Sequence, residues 1–169
     1  PWAETMLAVG TGLVLLVAFF FLMAPVAAVF AGLFLDAIAE KVERRHYPGD
    51  RAGQAMSLAD SLATSLQFAA VVLVVNILAL PLVFTGIGAA VLVAANAYLI
   101  GREYFELAAS RHMSVAEARA LRRANAPSIF MAGLLPALFA LVPLLNLLMP
   151  LFATSYFIHV FKRAAATSA

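Results

Sequence analysis

Three long runs without a formal charge set the pattern of this chain. Thr5 to Leu35, Ser61 to Gly101 and Ala124 to Phe161 hold 31, 41 and 38 residues, and every Asp, Glu, Lys and Arg lies outside them. Each run exceeds the roughly 18–20 apolar residues that mark a helix able to enter the lipid core, so the pattern predicts an all-α integral membrane protein. The first run reads as one long transmembrane helix: its length at the helical rise is about 46 Å, against a hydrocarbon core of about 30 Å. Pro25 is expected to kink it without ending it. Asp36, Glu40, Lys41, Glu43, Arg44 and Arg45 then carry the helix into water, with Glu40 and Arg44 paired one turn apart. Cations at the negative dipole end, followed by His46-Tyr47-Pro48-Gly49, predict a stop near residue 46. Ala24, Ala28 and Gly32 form a small-residue row that lets another helix approach closely.

The second run opens after Ser57-Leu58-Ala59-Asp60, a capping box, and is expected to stay helical to Leu80. Pro81 and Thr85-Gly86-Ile87-Gly88 then predict a bend, with a second arm from about Ala89. The third run repeats this plan, with Pro127 and Pro136 in its first arm, Val142 to Asn146 as the bend and Pro150 opening the return arm. At an offset of 62 residues Pro81-Leu82 aligns with Pro143-Leu144 and Phe68 with Phe130, a weak internal repeat. The purely apolar arms run about 14–16 residues, or about 21–24 Å, which falls short of a spanning length. Their bends are apolar, and a bend in water would be polar. The expected fold is therefore a long transmembrane helix followed by two partly penetrating helical hairpins joined by an interfacial amphipathic helix. It forms one membrane domain over 1–169: the spanning helix with its cytoplasmic extension over 1–46, a first hairpin over 57–101, a charged connector over 102–123 and a second hairpin over 124–163.

No Lys or Arg precedes Lys41, and all eleven follow the first crossing. By the positive-inside rule Trp2 is expected outside, and Arg44, Arg102, Arg122 and Lys162 in the cytoplasm. Composition agrees with the class: 64% apolar and 12% charged residues, with a mean hydropathy of +0.98. A net charge of +2 is too small and dispersed for a nucleic-acid partner. Without cysteine there is no disulfide, zinc-thiolate site or thiol nucleophile. The chain opens at Pro1 without a starting Met or a basic segment ahead of the first apolar run, so an upstream part is expected to be missing. Enzyme motifs are absent, and His46, His112 and His159 are too scattered for a metal site, so neither catalysis nor a cofactor is expected.

Candidate chemistry concentrates where charge leaves the second run, in Asn96 to His112. Continued as a helix, this segment puts Asn96, Glu103 and Ser110 on one face, flanked by Glu106, with Arg102 one turn from Glu106. One reading is a helix leaving lipid with a snorkelling arginine. The other is a polar entrance at which Asn96, Arg102, Glu103, Glu106, Ser110 and Arg111 bind or gate an anion. Arg119, Arg122 and Arg123 follow a second capping box, Ser114 to Glu117. They either face anionic lipid from a surface helix or form a vestibule that collects a divalent oxyanion.

Asn96 to His112, followed by ALRRANAPSIFMAGLLPALFALVPLLNLLMPLFA from Ala120 to Ala153, resembles the bacterial CysZ sulfate-permease family, which belongs to a wider group with etoposide-induced membrane proteins. The similarity runs from the first helix through Arg163, and the Gly-Arg-Glu-Tyr and Pro-Leu-Leu-Asn segments give it specificity. It implies a multi-pass protein of the bacterial inner membrane that admits sulfate for cysteine synthesis, with the lipid bilayer and other copies of itself as partners. The family's Gly-Leu/Ile-Arg-Arg oxyanion motif has no counterpart here, so that site is not carried over. The resemblance also suggests subunits inserted in opposite directions, against which the one-sided charge pattern argues. In the expected mechanism Arg102 and Arg111 attract the anion, while Glu103 and Glu106 hold those arginines or gate the path. The alternative is a membrane scaffold or assembly factor without transport activity.

Overall fold

The computed structural model describes residues 2–168; within the first helix, side chains are described at 2, 4–7, 9–15, 19 and from 32 onward. Every regular element among the described residues is an α-helix: α1 Trp2–His46, α2 Leu58–Val83, α3 Gly88–Ser110, α4 Val115–Ala124, α5 Ala126–Phe139 and α6 Pro143–Ser168. The chain divides into two compact units, Pro1–Ala37 and Ile38–Ala169. The first is the apolar part of α1, with Trp2, Met6, Leu13, Val14 and Leu33 exposed. Pro25, Ala24 and Ala28 lie outside the residues whose side chains are described; Gly32, the third member of the expected row, faces open space.

In the second unit α3 is the hub, packing against α2, α4, α5 and α6. Its contact with α5 is a backbone-to-backbone approach. A Cβ on Gly133 would lie 2.1 Å from the Ala97 carbonyl oxygen, and one on Gly101 would lie 2.8 Å from that of Ile129. Ala97/Gly101 and Ile129/Gly133 are each one turn apart, so small residues on facing helices set the crossing. Against α6, α3 places Phe105 edge-on to Phe161 and Tyr104 stacked over Phe157. Phe105, Phe157 and Ile158 are fully buried there.

Helix ends follow local chemistry. α1 stops at His46, at the expected position. Ser57 caps α2 by accepting the Asp60 backbone N–H, and Ser114 and Glu117 form the reciprocal capping box of α4. Three boundaries differ from expectation. α2 runs through Pro81 to Val83 before the turn at 84–87, and a Cβ on Gly88 would lie 2.2 Å from the Val83 carbonyl oxygen. Pro143 opens α6 instead of lying in the bend, because a helix's first turn needs no N–H from that residue. Pro150 therefore lies inside α6, where its carbonyl accepts the Thr154 hydroxyl. The aligned prolines thus sit on opposite sides of their bends, and the repeat does not extend to equivalent positions.

Among the described residues two helices, α2 over Leu58–Val83 and α6 over Pro143–Thr167, are long and apolar enough to cross a membrane. Within α2 only Ala79 is buried, and leucines 58, 62, 66, 73, 78 and 80 are exposed, so its apolar surface points outward on most sides. At 26 residues, or about 39 Å, α2 exceeds the arm length read from its apolar core, because the helix begins at its cap and continues past its proline. The partner arms are shorter. α3 has 14 residues from Gly88 to Gly101 before Arg102, and α5 has 14 in all, each about 21 Å.

Candidate oxyanion site

Arg102 and Glu106 lie one turn apart on the buried face of α3, and Arg119 and Arg122 lie one turn apart on α4. The capping box fixes where α4 starts, and Ala118, fully buried, seats the helix against its neighbours. The result is one carboxylate facing three guanidinium groups. Glu106 Oε1 accepts a 2.7 Å hydrogen bond from Arg122 Nε and a long 3.5 Å one from Arg102 Nε. Its Oε2 faces Arg119 Nε at 3.6 Å, an ion pair too long for a hydrogen bond, and that nitrogen is buried without any acceptor. The Glu106 side chain is 5% exposed. α4 therefore turns two arginines inward, and Arg123 alone of its three is exposed.

A second cluster ties the end of α1 to the end of α3. Glu43 accepts from Arg111 at 2.9 and 3.2 Å, lies 3.1 Å from His112 Nε2, and receives the Gly53 N–H at 3.3 Å. Burial alone would raise the Glu43 pKa, but the hydrogen bonds and charges of Arg111 and His112 outweigh it and hold this carboxyl below its usual range. His112 is pushed down, first by burial and then by the Lys162 charge, against the pull of Glu43. It stacks on Phe161 with ring centroids 5.3 Å apart. Lys162 donates to Asp50 at 2.8 Å, and the Tyr47 hydroxyl lies 2.6 Å from His159 Nδ1. Residues of three segments distant in sequence, 43–53, 111–112 and 159–162, are thereby gathered at one end of the second unit.

The structure thus unites Arg102, Glu106, Arg119 and Arg122 and assigns Arg111 to Glu43, not to Glu103 or Glu106. Asn96 and Glu103 are exposed on α3 and do not enter either cluster. The Ser110 hydroxyl is buried without a partner beside a cavity of about 320 Å³ that Arg51, Gln54 and Ser114 also line. A larger cavity of about 680 Å³ lies between α5 and α6, lined by Asn125, Tyr156, His159 and Arg163 among others. Glu43, Asp50 and Tyr47 escaped the sequence reading. Glu43 offered one signal, a carboxylate inside the charged run that ends α1, but its partner is 68 residues away. Among the described residues no group of three His, Asp or Glu side chains is placed to hold a metal.

No curated protein and no solved structure matches the chain. A family model described as "Sulfate transporter CysZ/Etoposide-induced protein 2.4" matches residues 2–150, and the chain belongs to that family, one of membrane transporters and not of enzymes.

Proposed function

We propose that this protein conducts sulfate across the bacterial inner membrane as a channel or facilitated permease, supplying cysteine biosynthesis. The observation that carries the reading is the excess of cations at the Glu106 cluster: three buried or half-buried arginines share one carboxylate in a chain of a sulfate-transporter family. Buried charge is costly unless compensated, so a site of this kind is complementary to an anion that comes and goes. Arg102 and Arg122 supply the seat, Arg119 supplies a donor with no internal acceptor, and exposed Arg123 draws anions toward it. Arg111, engaged by Glu43, acts as a structural tie.

α1 is the first crossing, with Trp2 outside and the arginine-bearing ends in the cytoplasm. The two hairpins enter from that side and stop short of the far face. One arm of each hairpin supports this, the apolar part of α3 and the whole of α5 at about 21 Å, below the hydrocarbon thickness of about 30 Å, while the partner arms α2 and α6 are each long enough to cross. The outward apolar surface of α2 is met by lipid and by other copies of the chain. Purified protein in liposomes is expected to take up radiolabelled sulfate faster than empty vesicles. Uptake equal to that of empty vesicles would remove the reading and leave a scaffold role.

A further inference from the structure

α5 and α6 fold back on each other at the bend of 140–142, so the start of α5 lies beside the end of α6. Near the bend the two helices are locked by Phe139 against Phe152, with ring centroids 4.7 Å apart, and Phe152 stacks in turn on Tyr156. From Tyr156 outward they leave between them the cavity of about 680 Å³. Its volume is within the range of about 300–1,000 Å³ usual for ligand sites.

The lining changes along the length of this groove. Met131, Ala132 and Tyr156 stand on the side of the bend, and Ser128, Arg163 and Thr167 stand toward the outer ends of the helices. Several polar groups there are already used: the Asn125 amide donates to the Leu121 carbonyl, the Thr167 hydroxyl donates to the Arg163 carbonyl, and His159 meets the Tyr47 hydroxyl. Lys162 is held by Asp50. The Arg163 guanidinium differs, since it is exposed and no Asp or Glu lines the cavity with it. It also stands near the end of the apolar span Pro143–Thr167, the depth at which a basic side chain reaches the headgroups. A small soluble anion would gain nothing from the apolar wall, and a lipid without net charge would leave the cation unanswered. A helix of another copy would have to bring a carboxylate to the level of Arg163. An anionic phospholipid carries its phosphate above its apolar chains as a fixed feature, in the same order as the groove.

We propose that the groove between α5 and α6 holds one anionic phospholipid, with its phosphate paired to Arg163 beside Ser128 and an acyl chain lying along Val160, Ala132 and Met131. The lipid fills the space that separates the two helices and so braces the second hairpin at the end away from Phe139 and Phe152. Guanidinium and phosphate form charge-assisted hydrogen bonds, while the chain replaces contacts that an empty groove forgoes. This site rests on the membrane placement of the chain and stands apart from the sulfate reading, since it shares no residue with the Glu106 cluster.

The test is native mass spectrometry of the full chain in detergent, titrated with phosphatidylglycerol or with phosphatidylcholine of the same chains. The wild type is expected to retain one phosphatidylglycerol per chain in preference to phosphatidylcholine. Arg163→Gln is expected to weaken that binding about fivefold, the scale of one basic group facing an anionic headgroup. Val160→Trp, whose indole would enter the groove, is expected to abolish it. Arg45→Gln, on the exposed end of α1, serves as the control for general attraction and should bind as the wild type does. Arg163 is exposed, so its variant decides the matter even if Val160→Trp fails to fold. Equal retention of the two lipids, or equal binding in Arg163→Gln and Arg45→Gln, would overturn the site. Binding that survives in a well-folded Val160→Trp would place the lipid outside the groove and overturn it as well. Loss of a dimer in Val160→Trp, with lipid retention unchanged, would give the groove to a second copy instead.

Discussion

The two buried carboxylates, Glu43 and Glu106, are treated oppositely by the fold. Glu43 is saturated: Arg111 approaches with two nitrogens, His112 adds a third contact and the Gly53 backbone a fourth. Glu106 has three arginines at hand but only one hydrogen bond of ordinary length. Saturation describes a tie that holds α1 to α3. Unsatisfied cationic excess is the feature on which the proposed anion site rests. Similar residue types thus serve different ends according to how their charges and donors balance.

Anything that separates α3 from its neighbours should abolish both clusters at once. Gly133→Ala forces a Cβ against the Ala97 carbonyl oxygen and is expected to cost about 3 kcal/mol, at the upper end for overpacking. The check is a large fall in melting temperature in detergent, with loss of sulfate binding. Separating the two carboxylates is the sharper test. Glu43→Gln is expected to destabilise by about 2 kcal/mol, the scale of a buried hydrogen bond to a charged group, and added sulfate should stabilise it only as much as it stabilises the wild type. Glu106→Gln is also expected to lower the melting temperature in sulfate-free buffer. Sulfate should raise it by more than it raises the wild type, because the anion takes the place of the lost carboxylate among the arginines and a ligand that binds only the native state stabilises that state. Equal recovery in both variants would erase the distinction.

Acid should act mainly through the Glu43 tie. His112 has a pKa below its ordinary 6.5 in the folded state, so the folded protein resists protonation there, and stability falls as pH drops through 6.5 and below. Glu43 is also depressed, so its contribution is present above its ordinary 4.5 and is lost as pH falls through the lower folded value. Melting temperature measured against pH should be level above neutrality and decline from about pH 6.5 downward. His112→Gln should shrink the upper part of that decline and Glu43→Gln the lower. The smallest effect belongs to the exposed Glu40–Arg44 pair, where Arg44→Ala should shift stability by less than about 0.5 kcal/mol and leave sulfate flux unchanged.

Much of this architecture could be read from the chain itself. Charge-free runs marked the apolar helices, Ser57 and Ser114 marked the starts of α2 and α4, and the charged stretch before Tyr47 marked the end of α1. The Arg102–Glu106 pair was legible because helical periodicity places residues four apart side by side. Prolines misled at the bends: they signal an interruption, but whether one ends a helix, opens it or lies within it depends on the packing around it, as Pro81, Pro143 and Pro150 show.

Sequence by itself determined the class of the protein, the order of its helices and the pool of arginines from which the clusters are drawn. Those follow from hydrophobicity and hydrogen bonding over a few residues, which act within a single helix. Only the tertiary structure decided that Arg119 and Arg122 turn inward to Glu106, that Arg111 is committed to Glu43, and that Glu103 is left outside. Charge pairing across helices depends on how closely they approach, and that closeness was set elsewhere, by the glycines where α3 crosses α5.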